Sequence, residues 1–338
     1  MTMLSRALHF WRRVSRVPRG PLVLLYHRVA EIETDPWGLC VSPARFSEHL
    51  EVLRRYGPCV TLGEFARQLE AGRLSSRTVA ITFDDGYADN LFEAKPLLEK
   101  YDTAATFFLA AELLNSSQEF WWDDLERILM SPGILPSELV LRIGEVEIKH
   151  EFADGAPFRP SERLRDRQWT YKDIPPTPRH ALYLELWKLL KPLGHTDRQA
   201  VLTELRTWAG VMIRARPTHR PLSTDEAVIL GSSANVEIGA HTLTHPTLPP
   251  QPLSVQHYEI EGSKTACEAL AGRPVISFSY PFGDHTDVTR QVVKNAGYFV
   301  SCAIKAGTTK DRSDRYRLPR VPVENVCSEE FEKILWTH

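Results

Sequence analysis

The sequence predicts an α/β fold built on a parallel sheet that helices cover on both faces. Short and strongly apolar runs, which are typical of fully buried strands, recur along the chain, and amphipathic helical patterns lie between them. Strands that alternate with helices in this way form either an α/β barrel or a doubly wound sheet. With 338 residues, 43% of them hydrophobic, the chain can bury a substantial core.

The predicted strands share a high content of branched apolar and aromatic residues. They cover 21–26, 78–83, 105–109, 236–240, 275–280 and 299–303. The helical patterns between them cover 42–56, 88–101, 254–270 and 286–295.

Residues 116–221 break this alternation. Three patterns follow one another within them: a hairpin-like alternation over 139–152 that turns near Gly144, a polar stretch with prolines over 160–178, and a helical pattern rich in Leu and Trp over 179–213. We therefore predict that 116–221 is an inserted cap subdomain of helices and a hairpin. It would lie over one end of a core formed by 21–115 and 222–338.

Residues 1–20 carry five arginines and no acidic residue. On a helix, the apolar side chains of this segment fall on one side, with Arg12, Arg13 and Arg16 opposite. The pattern predicts an amphipathic helix on an anionic membrane surface; a helix docked on the protein's own body and a transit peptide are the alternatives. Because the arginines interrupt any continuous apolar core, we expect no export signal and a cytoplasmic protein at the inner face of the membrane.

Composition argues against several classes of protein. The formal net charge is −2, so no chain-wide positive field favours a nucleic-acid partner. The five cysteines are scattered without a CxxC pair, which argues against a disulfide framework or a cysteine zinc site and fits a reducing compartment. No run approaches the roughly 18 apolar residues that a membrane span needs.

Two adjacent carboxylates end an apolar strand, in the segment TFDDG at 82–86. Buried carboxylates repel one another and are costly without a partner. A metal ion would remove that cost, with one carboxylate as a ligand and the other free as a base. The alternative is a strand that ends in solvent, with Asp85 and Gly86 in a plain turn.

Two histidines follow another predicted strand, in the segment HTLTH at 241–245. Their spacing brings both imidazoles to one side if the segment makes a helical turn, although such pairs are common without a metal. An aspartate with two histidines suits a divalent first-row metal and leaves positions for water and substrate. Both segments follow C-terminal ends of predicted parallel strands, where barrel enzymes place their active sites.

A third segment, SYPFGD at 279–284, also follows a predicted strand. Its proline and glycine predict a tight turn whose backbone N–H groups face a ligand, or a turn with no further role.

Together these segments resemble the polysaccharide deacetylases of carbohydrate esterase family 4, the NodB-like family. The matching pieces stand in the family's order: LLYHRV at 24–29, TFDDGYADN at 82–90, HTLTHPTL at 241–248, SYPFGD at 279–284 and RLPRVPV at 317–323. The resemblance covers roughly 21–115 and 223–323, and the insertion has no counterpart in it. It implies a distorted (β/α) barrel with fewer than eight regular strands, to which the cap subdomain is added.

The resemblance also implies a role for each matching residue. Asp84 falls on the catalytic base, and Asp85, His241 and His245 fall on the ligands of one divalent metal ion. Zinc is the expected metal, with cobalt, nickel or manganese as alternatives. Its bound water would lose a proton to Asp84 and attack the amide carbonyl, and the metal and the backbone N–H of Phe282 would hold the oxyanion.

The chain departs from the family pattern at two places. The family often has an arginine at the start of its third motif and ends in Leu-x-His, whereas this chain lacks that arginine and has Leu-Pro-Arg ending at Arg320. Arginine does not release its proton near neutrality, so Arg320 is predicted to orient Asp84 instead, with a surface salt bridge as the alternative. His27 is the first candidate for the acid that protonates the leaving amine, Asp84 the second and His285 the third.

Residues and resemblance together predict a metal-dependent hydrolase that removes an N-acyl group, most often acetyl, from an amino sugar. The expected substrate is a lipid-linked or nucleotide-linked intermediate of glycan biosynthesis, in contact with Trp122, Pro281 and Phe282. A hydrophobic hinge is the alternative role for Trp122. The alternative functions are a sugar N-deformylase and a catalytically silent saccharide-binding protein.

Overall fold

The structure, a computed structural model, describes residues 20–152, 157–304, 307–309 and 314–337. The amphipathic helix predicted for 1–20, and any membrane contact through it, lies outside the described residues except for Gly20. Within the described ranges, no helix combines the length and the apolar character needed to cross a membrane.

The strands form one large parallel sheet and two small pairs. In chain order, the described residues contain β1 (Leu22–Tyr26), β2 (Arg28–Val29), β3 (Cys40–Val41), β4 (Cys59–Val60), β5 (Val79–Phe83), β6 (Ala105–Leu109), β7 (Glu138–Ile143), β8 (Val146–Glu151), β9 (Val236–Ala240), β10 (Ser277–Ser279), β11 (Val300–Cys302) and β12 (Val321–Pro322).

The helices lie between these strands and across the insertion. They are α1 (Pro43–Tyr56), α2 (Leu62–Glu70), α3 (Lys95–Lys100), α4 (Trp121–Met130), α5 (Pro160–Asp166), α6 (Pro178–Leu190), α7 (His195–Ala209), α8 (Thr224–Gly231), α9 (Leu253–Ala271), α10 (Asp287–Asn295) and α11 (Ser328–Thr337).

The large sheet has the strand order β11, β10, β9, β6, β5, β1 and β12, and β4 pairs with the start of β5. The chain leading into β12 joins the two edges of this sheet, because Leu318 bridges to Cys302 of β11 and Val321 pairs with Leu24 of β1. The sheet therefore curls into a distorted barrel and not an open doubly wound sheet. The predicted fold class is confirmed.

The apolar runs of the sequence form strands that are buried from end to end. All five residues of β5 and of β6 are buried, and Phe83 of β5 stacks on Phe107 of β6 with ring centroids 4.7 Å apart. Burying an apolar side chain of this kind stabilises the fold by about 1.5–3 kcal/mol. The observed bounds of β6 and β9 are those predicted from the sequence.

Side-chain caps fix where two of the barrel helices begin. Ser42 accepts a hydrogen bond from the backbone N–H of Arg45 at the start of α1, and Thr286 accepts one from that of Thr289 at the start of α10. Such a cap contributes about 1 kcal/mol to helix stability. Both helices begin where the sequence predicts.

Two predicted helices differ from the observed ones. The segment 88–101, predicted as one helix, instead forms a π-helical turn, Asn90–Ala94, that continues directly into α3. Pro96, the second residue of α3, has no backbone N–H and cannot make the hydrogen bond of a regular helix at that point. The pattern over 179–213 is divided into α6 and α7, and the break between them contains Pro192.

The predicted insertion holds an apolar cluster of its own. Side chains of α4, α6 and α7 and of the hairpin β7–β8 form it, and the hairpin is antiparallel with Gly144 in its turn. Tyr87 and Ala110, which follow β5 and β6, join the same cluster. The inserted residues therefore pack against the C-terminal ends of those barrel strands. Boundaries at 116 and 221 stay a prediction.

Candidate active site

Backbone strain is concentrated in the three motifs that carry the candidate active-site residues. Among the described residues, six non-glycine residues have a positive φ angle, and four of them are Asp85, Thr242, His245 and Phe282. Such conformations cost about 1–3 kcal/mol each and persist only where the surroundings impose them, often at functional sites. The motifs follow the C-terminal ends of β5, β9 and β10, so the sheet brings them together.

Asp85, His241 and His245 form a compact and buried group of potential metal ligands. One ligand atom of each lies within 4.8 Å of those of the other two. Oδ1 of Asp85 is 3.6 Å from Nε2 of His241 and 3.4 Å from Nε2 of His245. A carboxylate with two imidazoles suits a divalent first-row ion and leaves positions for water and substrate. This donor set fits the metal ion predicted from the sequence.

The two histidine rings are in the form that binds a metal. Nδ1 of His241 lies 2.8 Å from the carbonyl oxygen of Ser279. Because a carbonyl only accepts, Nδ1 carries the hydrogen and Nε2 keeps its lone pair toward Asp85. Burial lowers the pKa of His241 to about 4 and the pKa of His245 to about 3, so both rings are neutral at neutral pH.

The loop that carries the histidines does not make the helical turn on which the prediction from their spacing depended. It is irregular, with Thr242 and His245 in the left-handed region. The buried carboxylate of Glu259 on α9 accepts hydrogen bonds from the backbone N–H groups of Leu243 and Thr244, at 2.8 and 2.9 Å. The condition of a helical turn is therefore not met, and Glu259, distant in sequence, supplies the acceptors for these N–H groups.

Arg198 holds the same loop from the side of the insertion. Its buried guanidinium donates to the carbonyl oxygens of Thr244 and His245, at 3.2 and 3.4 Å, and lies 5.2 Å from the ring centroid of Trp121. Burial lowers the pKa of Arg198 to about 10, which leaves it charged at neutral pH. Sequence reasoning missed Arg198 and Glu259, since each contacts main-chain atoms and neither stands in a motif.

Replacing Arg198 with methionine is expected to weaken metal binding by about tenfold or more, because the loop would lose the donors that fix its backbone beside His245. Competition with a chromophoric chelator measures the dissociation constant of the metal. Gln199→Met, on the same helix but without a hydrogen bond to the loop, is the matched control. Equal metal affinity in the two variants would show that Arg198 does not support the site.

Asp84 is a buried carboxylate that Arg320 holds by both oxygens. Oδ1 and Oδ2 accept hydrogen bonds from Nη1 and Nη2 of Arg320 at 2.6 and 2.7 Å, and Oδ2 accepts one from the Ser279 hydroxyl at 3.1 Å. Burial alone would raise the pKa of Asp84, but the charge and hydrogen bonds of Arg320 outweigh it and lower that pKa well below its usual range. Asp84 is therefore ionised at neutral pH. Arg320 is fully buried, which excludes a surface salt bridge.

Asp84 also lies beside the metal-ligand group, with Oδ2 3.7 Å from Nε2 of His241. A cavity of about 530 Å³ opens above both. The insertion supplies part of its wall, including Trp122 and Trp187. The ring centroids of Trp122 and Phe282 lie 4.9 and 4.8 Å from that of His245, so two of the predicted substrate contacts face the site.

Pro281 is buried and is not among the residues that line the cavity, and the substrate contact expected of it stays a prediction. It sets the turn that places Phe282 at the surface of the cavity. A hydrogen-bond chain fixes Trp122: its Nε1 donates to the hydroxyl of Tyr87 at 2.7 Å, and that hydroxyl donates to Asp123 at 2.6 Å.

The two histidines considered as the acid differ in position. His27 lines the cavity, and burial lowers its pKa although the charges of Asp85 and Asp84 oppose the shift. His285 lies outside the cavity lining, where its ring stacks on Tyr280 with centroids 4.8 Å apart. Of these two histidines, only His27 faces the space where a substrate would bind.

Comparison with known sequences finds a family model described as polysaccharide deacetylase, which matches residues 71–135 and 217–301. The gap between the matched parts lies inside the predicted insertion. YxkH of Bacillus subtilis (strain 168), whose name designates a polysaccharide deacetylase, is 33% identical over 107 residues. The match covers 31% of this chain and only 37% of the length of YxkH.

Several solved structures are similar over most of the chain. The Streptococcus pyogenes deacetylase PplD, solved in complex with acetate, has a TM-score of 0.59 and 16% identity and covers 94% of this chain and 99% of its own. IcaB from Ammonifex degensii has a TM-score of 0.58 and 16% identity, covering 94% and 97%. BC0361, a polysaccharide deacetylase from Bacillus cereus, has a TM-score of 0.57 and 19% identity, covering 94% and 69%. At these identities the likeness shows the fold.

Proposed function

Because this chain belongs to the polysaccharide deacetylase family, we propose that it is a metal-dependent hydrolase that removes an N-acyl group, most simply acetyl, from an amino sugar. One observation carries the proposal. The three-ligand group of Asp85, His241 and His245 lies beside an ionised carboxylate, Asp84, that Arg320 holds at the base of a cavity.

Each group has a distinct chemical task in this proposal. Zinc, or else cobalt, nickel or manganese, held by the three ligands would supply Lewis acidity and lower the pKa of water. Asp84 takes a proton from the attacking water, and Arg320 keeps the Asp84 carboxylate ionised and oriented. The backbone N–H of Phe282 donates to the amide oxygen as that oxygen gains charge.

The leaving amine must also receive a proton. His27 faces the cavity and is the first candidate, and Asp84 is the second, returning the proton that it took from water. His27→Ala is expected to lower turnover by about 100-fold, with metal retained and the alkaline limb of the pH profile altered, if His27 is the acid. His285→Ala, outside the cavity lining, is the control. Near-normal turnover of His27→Ala would leave Asp84 acting in both directions.

The substrate that we propose is an amino sugar carried by a lipid or a nucleotide, processed at the cytoplasmic face of the membrane. Phe282, which is half-buried in the cavity wall beside His245, offers an aromatic face on which a sugar ring can stack, and Trp122, which is buried and stacks on Phe120, lines the same wall. Two alternatives are the removal of a formyl group in place of acetyl and saccharide binding without hydrolysis. The experiment below distinguishes them.

Metal content and amine release, measured on the same preparations, test the proposed function. His241→Ala should lose metal and activity together, because it removes one ligand of three. His257→Ala, an exposed histidine on α9 that pairs with Glu261, should keep both. N-acetyl and N-formyl sugars assayed in parallel identify the acyl group. Full metal occupancy in His241→Ala would refute the ligand assignment, and saccharide binding without amine release would refute hydrolysis.

A further inference from the structure

Three lysines of the inserted residues line the same cavity as the metal-ligand group. They are Lys172, Lys188 and Lys191, and no arginine joins them in the lining formed by the described residues. Lys188 lies on α6, and Lys191 directly follows the end of that helix, three residues further on. Residues three apart lie on one side of a helix, so these two ammonium groups reach the cavity from the same side.

The lysines differ in how their charge is compensated. Nζ of Lys191 lies 2.7 Å from Asp284, and Nζ of Lys172 lies 2.6 Å from Glu324. Lys188 has no acidic partner among the described residues and is exposed. An unpaired cation on a cavity wall attracts an anionic ligand at little desolvation cost.

The lysines lie near the reacting centre. Nζ of Lys191 is 4.8 Å from the ring centroid of Phe282, and that ring is 4.8 Å from the ring of His245. One aromatic ring thus separates a cation from a metal-ligand position. A small substrate with its acyl group beside His245 can therefore place an anionic group against Lys191 and Lys188.

A second cavity borders the first on the side of Lys172. It has a volume of about 590 Å³ and shares its lining with the first at Trp37, Tyr171 and Lys172. Trp37 stacks between Tyr171 and Trp187, with ring centroids 4.7 and 4.1 Å away. Trp37 and Tyr171 thus form an aromatic wall that both cavities share.

We propose that Lys188 and Lys191, with Lys172, which lines both cavities, form a subsite for a phosphate group on the amino-sugar substrate. This inference rests on the proposed function. Lysine binds phosphate as a point charge. Among the described residues, the cations that line this cavity are three lysines, and a phosphate ester or diphosphate is the anion that we assign to them, with a uronic acid as the alternative that the test below separates.

Kinetics with paired substrates test this subsite. UDP-N-acetylglucosamine and a prenyl-diphosphate-linked N-acetylglucosamine bear phosphate, and N,N′,N″-triacetylchitotriose is a neutral substrate. The ratio of kcat/KM for phosphate-bearing over neutral substrate should fall about tenfold or more in Lys188→Met, chiefly through KM. Lys333→Met on α11 removes the same charge outside the cavity and should leave the ratio unchanged. Whichever of the two phosphate-bearing substrates has the higher kcat/KM identifies the carrier.

Binding of inorganic pyrophosphate to the metal-loaded protein, measured by calorimetry, separates the subsite from the reaction. Lys188→Met should bind pyrophosphate about tenfold more weakly than wild type and Lys333→Met, each with the same metal content. If no sugar releases amine but this difference holds, the proposed function fails and the subsite stands. Equal pyrophosphate affinity in wild type and Lys188→Met would overturn the subsite, as would a lysine dependence seen only with uronic-acid substrates.

Discussion

Replacing Asp84 with asparagine should lower kcat for amine release by about 10²–10⁴-fold while metal content stays unchanged. The amide keeps the size of the carboxylate and can still accept a hydrogen bond from Arg320, but it cannot take a proton from water. Steady-state amine release and metal analysis on the same preparation measure the two effects separately.

Asp89→Asn provides the matched control for Asp84→Asn. Asp89 also forms a close ion pair with a buried arginine, Arg28 at 2.9 Å, but it lies outside the cavity lining. It should keep most of the turnover even if the protein becomes less stable. Comparable turnover of Asp84→Asn and wild type would remove Asp84 as the base.

Replacing Arg320 with methionine should destabilise the protein by about 3–5 kcal/mol at neutral pH, because Asp84 would stay buried without its partner. Both side chains are buried, and Arg320 supplies a two-pronged hydrogen bond to the carboxylate. Urea unfolding followed by tryptophan fluorescence measures the free energy of unfolding.

The effect of Arg320→Met should depend on pH in a defined direction. In the wild-type chain the pKa of Asp84 is lowered, so the pair stabilises the fold above the ordinary carboxyl pKa of about 4, and this stabilisation is lost as pH falls. In the variant, burial raises that pKa without the opposing charge and hydrogen bonds of Arg320, so the loss of stability should shrink as pH falls. The acid limb of kcat/KM should shift to higher pH.

Arg320→Lys keeps the positive charge but loses the planar, two-pronged guanidinium. It should therefore show a smaller loss of stability and a smaller shift of the acid limb, each in the same direction as in Arg320→Met. A stability loss that is equal at neutral and acidic pH, with the acid limb unmoved, would mean that Arg320 does not set the ionisation of Asp84.

The barrel strands could be predicted because their sequences are apolar throughout. The bounds predicted for β6 and β9 are the observed ones, since both strands are almost fully buried. The helix after β5 was predicted less well, because Pro96 disrupts an otherwise regular pattern. Short elements such as β4 and β12 have two residues each and leave no periodic signal.

The candidate active-site residues could be predicted where a sequence motif contains them. Asp84, Asp85, His241 and His245 stand at the ends of recognisable strands, and the structure brings them together. Residues that support these groups from other parts of the chain were harder to identify.

Glu259 and Arg198 bind the backbone of the histidine loop from α9 and α7. Nothing in their own sequence surroundings marks that contact, because a buried ion on a helix most often serves packing or a salt bridge. The insertion therefore contributes more to the site than the cap predicted for it, since Arg198 reaches the carbonyl oxygen of His245.

Stoichiometric reconstitution tests the central claim most directly. The protein is stripped with a chelator, and zinc is then added in steps while amine release from an N-acetylated amino sugar is followed. We predict that activity is lost on stripping, rises in proportion to added zinc, and stops rising at about one ion per chain. The Asp85→Ala variant, which lacks the carboxylate ligand, should show no such rise. Undiminished amine release from the stripped protein would contradict the account.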